Sequence, residues 1–135
     1  MERGLQRQSL RVLPVLSSRP AYAEWVLIGS SAGNAGYTVF IDPETIRRKG
    51  DLVKMWHLYD FQTTQTNASR PFLSSKAQNQ HDCAEERTRV LAYTWFSGNM
   101  GNGNVVFANS DELKWMPIAP GSIDEVLWKF ACDKQ

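Results

Sequence analysis

The residues in this chain best suited to covalent or metal chemistry are His57, His81, Cys83 and Cys132. His81-x-Cys83 sets an imidazole two residues from a thiol, where it could act as a base or share a metal ion. A structural zinc site usually needs four ligands, so His57 and Cys132 would have to complete the set from distant parts of the chain. A catalytic cysteine needs an oriented base, and His57 and His81 are the only histidines. Asp42, Asp60 and Asp82 fall at or near strand ends, where turn and capping roles are common. Nothing in the sequence pairs them as general acid and base. Gly29, Gly33 and Gly36 resemble a phosphate-binding loop, but no Gly-Lys-Ser/Thr follows and the next segment reads as a strand. No catalytic residue, metal or cofactor is therefore assigned, and the chain reads as non-enzymatic.

Two other constellations could bind rather than react. Arg47-Arg48-Lys49 is the densest basic cluster outside the N-terminal segment. With Lys54 it supplies the candidate contacts to a macromolecular partner, because local charge raises encounter rates even at low net charge. Trp25, Trp56, Trp95 and Trp128 suit a core or a helix–sheet seam. The alternative is an aromatic pocket between helix and sheet near Trp56, Trp95, Trp128 and Phe130, as in a periplasmic small-ligand carrier.

These residues must be positioned by strands and one helix. Tyr37–Asp42 is β-branched and aromatic, and Pro43 ends it. Glu44–Gly50 reads as a turn. Leu52–Gln62 carries apolar residues on both faces, which predicts a central strand. Thr63–Pro71 reads as a loop and Leu73–Cys83 as a polar edge strand. Glu86–Ser97 is a second long strand, Gly98–Asn104 a turn with an Asn102-Gly103 type I′ signal, and Val105–Ala108 a returning strand. Lys114–Ala119 suggests a short addition. Ser122 and Glu125 form a capping box, and Ile123, Val126, Leu127, Phe130 and Ala131 make one helical stripe. The fold class is α+β: a strongly bent antiparallel sheet of about six strands with a C-terminal helix packed on one face.

One cysteine pair in a small exported domain favours a disulfide. It would close a loop of about 50 residues, worth roughly 4 kcal/mol in the loop-entropy model. Two free thiols are the alternative. On an ideal helix Cys132 points away from the apolar stripe, so a bond requires an unwound last turn or a helix that stops short of it.

Composition narrows the function. The chain has 135 residues, a hydrophobic fraction of 42% and a charged fraction of 21%, as a globular domain does. No apolar run is long enough to span a bilayer. Residues 1–23 are set apart by Arg3, Arg7 and Arg11, a short apolar stretch and Ala21-Tyr22-Ala23, a signal-peptidase pattern. They read as a signal-peptide-like or disordered segment ahead of a domain at 24–135. They hold four Arg and one Glu, so of 15 basic and 14 acidic residues 11 and 13 remain, a net charge of −2. That balance argues against nucleic acid as a partner.

The strand Tyr37–Asp42 with Ile46 and Arg48, then Trp56 and Leu58, Ser74-Ser75, Asp82-Cys83, Arg87 and Arg89, Gly103, Trp115, Pro120-x-Ser122 and Cys132 together resemble the surface-adhesin protein E family of bacterial envelope proteins. The resemblance runs from about Trp25 to Cys132. It implies a bent antiparallel sheet tied to a C-terminal helix by a Cys83–Cys132 bond. It implies export to the periplasm, cell surface or medium, binding to extracellular or envelope proteins, and a homodimer.

Overall fold

The computed structural model describes residues 24–31 and 36–133. The signal-peptide-like segment 1–23 lies outside them. Strands β1 (Val26–Ser31), β2 (Tyr37–Ile41), β3 (Arg47–Lys49), β4 (Leu52–Asn67), β5 (Arg70–Asp82), β6 (Arg87–Phe96), β7 (Val105–Asn109) and β8 (Met116–Pro117) precede helix α1 (Ile123–Asp133). They form one open sheet in the order β1-β2-β4-β5-β6-β7, with β3 added to β4 and β8 to β6. Every pairing is antiparallel. Register shifts interrupt the β4–β5, β5–β6 and β6–β7 pairings, and such bulges bend a sheet.

The sheet has eight strands rather than about six. The Glu44–Gly50 segment is not a plain turn. Asp42 caps a short 3-10 turn at Pro43–Thr45, and the chain then extends as β3, paired in register with Leu52–Lys54. Thr63–Pro71 is not a loop either. β4 continues to Asn67 and β5 starts at Arg70, so Ala68 and Ser69 make a two-residue hairpin turn, both with positive φ.

Leu73–Cys83 is not an edge strand. β5 lies between β4 and β6 along most of its length. Ser74, Asn79, Gln80, His81 and Asp82 are buried, and neighbours satisfy several of them. Gln80 Oε1 accepts two bonds from Arg89, at 2.9 and 2.7 Å. Asp82 accepts from Arg87 Nε at 2.9 Å and caps the Ala84 and Glu85 amides. Ser74 Oγ donates to the Gly98 carbonyl at 2.6 Å and accepts from the Gly101 amide at 2.9 Å.

That last pair belongs to the β6–β7 connection, which is no tight type I′ hairpin. Asn102 has φ −96°, while Met100, Gly101 and Gly103 take positive φ. The connection folds over the sheet and brings Gly101 beside Leu58, which is fully buried. Asp60 Oδ1 holds it there through the Met100 amide at 2.7 Å and Asn99 Nδ2 at 3.0 Å.

The core lies between the other sheet face and α1. Val39, Ile41, Val53, Met55, Leu127 and Ala131 are all 0% exposed. Burying one such side chain contributes about 1.5–3 kcal/mol. Ser122 Oγ accepts from the Glu125 amide, and Glu125 reaches back to the Gly121 amide, one residue earlier than the ideal box. The helix packs tightly at its start, where a Cβ on Gly29 would meet Ile123 at 3.0 Å.

The Cys83–Cys132 disulfide is formed, with Cα atoms 5.7 Å apart. It needs no unwinding, since α1 stays helical through Asp133. The helix is instead rolled about its axis. Leu127 and Ala131 are buried, whereas Val126, on the far side of the expected stripe, is 41% exposed. At about 100° per residue this roll brings Trp128 and Cys132 down beside the end of β5. There Trp128 Nε1 donates to the Asp82 carbonyl at 2.8 Å.

Candidate functional site

β-strand alternation sends odd and even residues of β4 to opposite faces, and each face carries its own candidate surface. On the face away from α1, β3 turns back on β4 through Gly50, with φ +62°. The turn sets Arg47 opposite Lys54, Arg48 opposite Val53 and Lys49 opposite Leu52. Arg47 and Lys49 thus share a sheet face with Lys54, whereas Arg48, opposite the core residue Val53, starts from the other face; all four still border one cleft. With Leu52, Gln78 and Gln80 they line an open cleft of about 800 Å³.

No acidic residue is among those lining it. Arg47 Nη1 donates to the Glu44 and Ile46 carbonyls, and Arg48 Nε to the Gly50 carbonyl. These bonds to neutral carbonyls fix the guanidinium groups without adding a counter-charge. Arg48 also forms a long ion pair, at 3.9 Å, with the exposed carboxylate of Asp51. Trp56 lies on this face, with Lys76 Nζ 5.6 Å from its ring centre.

On the α1 face, beyond the helix N-terminus, β4, β5 and β6 carry a belt of rings. Phe61 meets Phe72 edge-on at 5.8 Å, and Phe72 stacks on Trp95 at 4.5 Å. Trp95 meets Phe107 at 5.1 Å, and Tyr93 meets Trp95 at 5.7 Å. Phe61, Phe72, Tyr93 and Trp95 wall a groove of about 450 Å³, with Leu113 and Met116 also lining it. Those two are 46% and 59% exposed.

The groove lining also includes the charged residues Arg89, Lys114 and Asp124. His57 and Asn79 are part of the same lining, and both residues are buried. His57 Nδ1 and Asn79 Oδ1 have no hydrogen-bond partner within the protein. Burial, aided by His81, holds the His57 imidazole down to about 3. Burial likewise holds His81 down to about 4. His81 Nδ1 lies 3.2 Å from Thr88 Oγ1. Burial pushes the Tyr59 phenol up.

The four pocket candidates are not brought together. Trp95 lines the groove, but Trp56 stands on the opposite sheet face, Trp128 is tied to Asp82 near the disulfide, and Phe130 packs against the core. Sequence reasoning missed Phe72, Tyr93, His57 and Asn79 as groove residues. The alternation of His57, Tyr59 and Phe61 along β4 was the available signal. Cys83 is bonded to Cys132, so it is no thiol beside His81. Among the described residues, no group of three or more His, Cys, Asp or Glu could hold a metal ion. No helix among them is long and apolar enough to cross a membrane.

These features define a disulfide-stapled α+β domain with a cationic cleft on one sheet face and an aromatic groove on the other. The chain belongs to the surface-adhesin protein E family, whose model matches residues 25–133. Its fold is similar to that of Haemophilus influenzae protein E. Crystal form II of that protein superposes with a TM-score of 0.58 at 12% identity, covering 83% of this chain and 98% of the other. A second structure of it gives 0.57 at 14% identity, covering 91% and 92%. No curated protein sequence matches the chain.

Proposed function

We propose that this chain is an exported, non-enzymatic binding domain that recognises an extracellular protein through the cleft of Arg47, Arg48, Lys49 and Lys54. The observation that carries this reading is the direct opposition of Arg47 and Lys54 across β3 and β4. Like charges directly opposed destabilise a sheet pair. No acidic side chain lines the cleft to offset that cost. An anionic patch on a partner would. Family membership supports a surface or exported protein, and the signal-peptide pattern of residues 1–23 supports the same compartment.

The same reading includes a homodimer. β1 is an edge strand, and its Val26 and Leu27 are 44% and 59% exposed. Apolar edge strands favour pairing with a second chain.

The test is surface plasmon resonance of the purified protein over immobilised extracellular-matrix proteins. Binding to at least one of them, lost in the Arg47→Ala/Arg48→Ala/Lys49→Ala variant in moderate salt, is the expected result. Unchanged binding by that variant would refute the cleft as the contact.

A further inference from the structure

The sheet face that carries the cationic cleft continues past it along β4 and β5. Register sets Lys54 opposite Gln80, Trp56 opposite Gln78 and Leu58 opposite Lys76, so these side chains share one face. The strip begins at Arg47, Lys49 and Lys54. It ends at Lys76, because the β6–β7 connection covers the face at Leu58, Asp60 and Ser74. Trp56 and Gln78 stand between the two ends.

The two ends carry unbalanced charge. Among the described residues, Arg47, Lys49, Lys54 and Lys76 form no ion pair. The acids bordering the strip are already occupied. Asp42, which bonds through its amide to the Trp56 carbonyl, is buried and caps the Glu44 amide. Asp82 holds Arg87, and Glu112 holds Arg89, which lies opposite Gln80.

Spacing decides what kind of anion fits. Arg47 and Lys54 oppose each other at about 5 Å, and Lys49 lies roughly 7 Å along the strand from Arg47. Three cations this close call for several anions on one short unit. Lys76 then follows roughly 14 Å from Lys54 by strand spacing. The stretch between offers a ring and an amide instead of charge. An aromatic face suits the C–H face of a sugar, and a glutamine amide suits its hydroxyls. A run of acidic amino acids would fill the first end and leave Trp56, Gln78 and Lys76 unused.

We infer that this strip binds a sulfated glycosaminoglycan, with sulfate groups at Arg47, Lys49 and Lys54, a sugar ring over Trp56 and a further anionic group at Lys76. The inference rests on the cleft reading and names what the extracellular partner presents there: the sulfated glycan chain of a proteoglycan.

Three probes test it: a short heparin fragment, an unsulfated heparosan fragment of the same length, and poly-L-glutamate. Each is titrated into the oxidised full chain, with affinity read by calorimetry and location by the NMR signal of the Trp56 indole. Heparin is expected to bind and to shift that signal. Heparosan and polyglutamate are expected to bind at least about tenfold more weakly, since the charge pattern sets the preference. Lys76→Gln should weaken heparin about twofold to fivefold, the worth of one exposed ion pair, and leave polyglutamate unchanged. The three probes on the wild type decide without that variant if it does not fold. Absence of heparin binding, or a Trp56 signal that heparin leaves unmoved, would overturn the inference. Polyglutamate binding as tightly as heparin, and lost in the Arg47→Ala/Arg48→Ala/Lys49→Ala variant, would overturn it and leave the cleft reading standing. Full heparin binding by that triple variant would overturn both.

Discussion

Trp128 donates its indole N–H to the main-chain carbonyl of Asp82 at 2.8 Å, one residue before Cys83 and one helical turn before Cys132. The helix is thus fastened to the end of β5 twice, by a hydrogen bond and by a covalent bond. The two fastenings explain why α1 is rolled away from its apolar stripe, since Trp128 and Cys132 lie on one side of the helix.

Removing each fastening should have a distinct cost. The Cys83→Ser/Cys132→Ser variant is expected to lose about 4 kcal/mol, the loop-entropy value for a separation of 49 residues. Trp128→Phe removes the donor together with part of the ring system, at about 1 kcal/mol for the hydrogen bond and more for the lost packing. Urea unfolding under oxidising conditions measures both. A cysteine variant as stable as the wild type would mean that the core alone holds the helix.

Acid should destabilise the fold, through two buried histidines. An unfolded histidine takes up a proton near pH 6.5, whereas His57 and His81 resist protonation down to about 3 and about 4. Between these values the unfolded chain binds more protons, so stability is full above about pH 7 and falls as the pH drops from there toward 4. Asp82 adds a loss at lower pH. Its burial favours the neutral acid, but the bonds from Arg87, Glu85 and Ala84 outweigh that and hold the carboxyl below its ordinary range. His57→Phe should flatten the slope between pH 7 and 5 in urea titrations. An unchanged slope would place the effect elsewhere.

The β6–β7 connection depends on Ser74, which is 0% exposed and bonds both the Gly98 carbonyl and the Gly101 amide. Ser74→Ala leaves both main-chain groups unsatisfied, and the expected loss is about 1–3 kcal/mol. Amide hydrogen exchange should quicken at Gly101 and Met100 in the same variant. Protection equal to the wild type there would show that Asp60 alone suffices.

Much of this architecture is legible in the sequence, and the failures have physical causes. Strand β2, the central place of β4 and the existence of α1 follow from alternation and periodicity. β5 reads as an edge strand because its polar side chains look solvated. Those from Asn79 to Asp82 are buried instead, with Gln80 and Asp82 partnered by Arg89 and Arg87, which no local pattern reveals. The β4–β5 hairpin was missed because Ala68-Ser69 lacks the Asn or Gly that usually marks two positive φ angles. That miss hid the groove, since Phe72 reaches Phe61 and Trp95 only when the hairpin closes. The cationic cleft was easier to anticipate, because Arg47, Arg48, Lys49 and Lys54 are near neighbours in sequence.

Relief of the like-charge pair should stabilise the protein. Lys54→Glu places a carboxylate opposite Arg47, and cross-strand pairs of opposite charge are worth about 0.2–1 kcal/mol. The melting temperature is expected to rise while partner binding weakens. A variant that gains stability and keeps full binding would separate the cleft from recognition.

The most direct test of the account is the salt dependence of binding to an extracellular-matrix protein. Affinity is measured from about 50 to 300 mM salt, a range over which screening of exposed charges strengthens markedly. Wild-type protein and the Arg47→Gln/Arg48→Gln/Lys49→Gln/Lys54→Gln variant are compared. The account predicts affinity that falls steeply with salt in the wild type, and weak, nearly salt-independent binding in the variant. Parallel salt curves of equal affinity for the two proteins would contradict it.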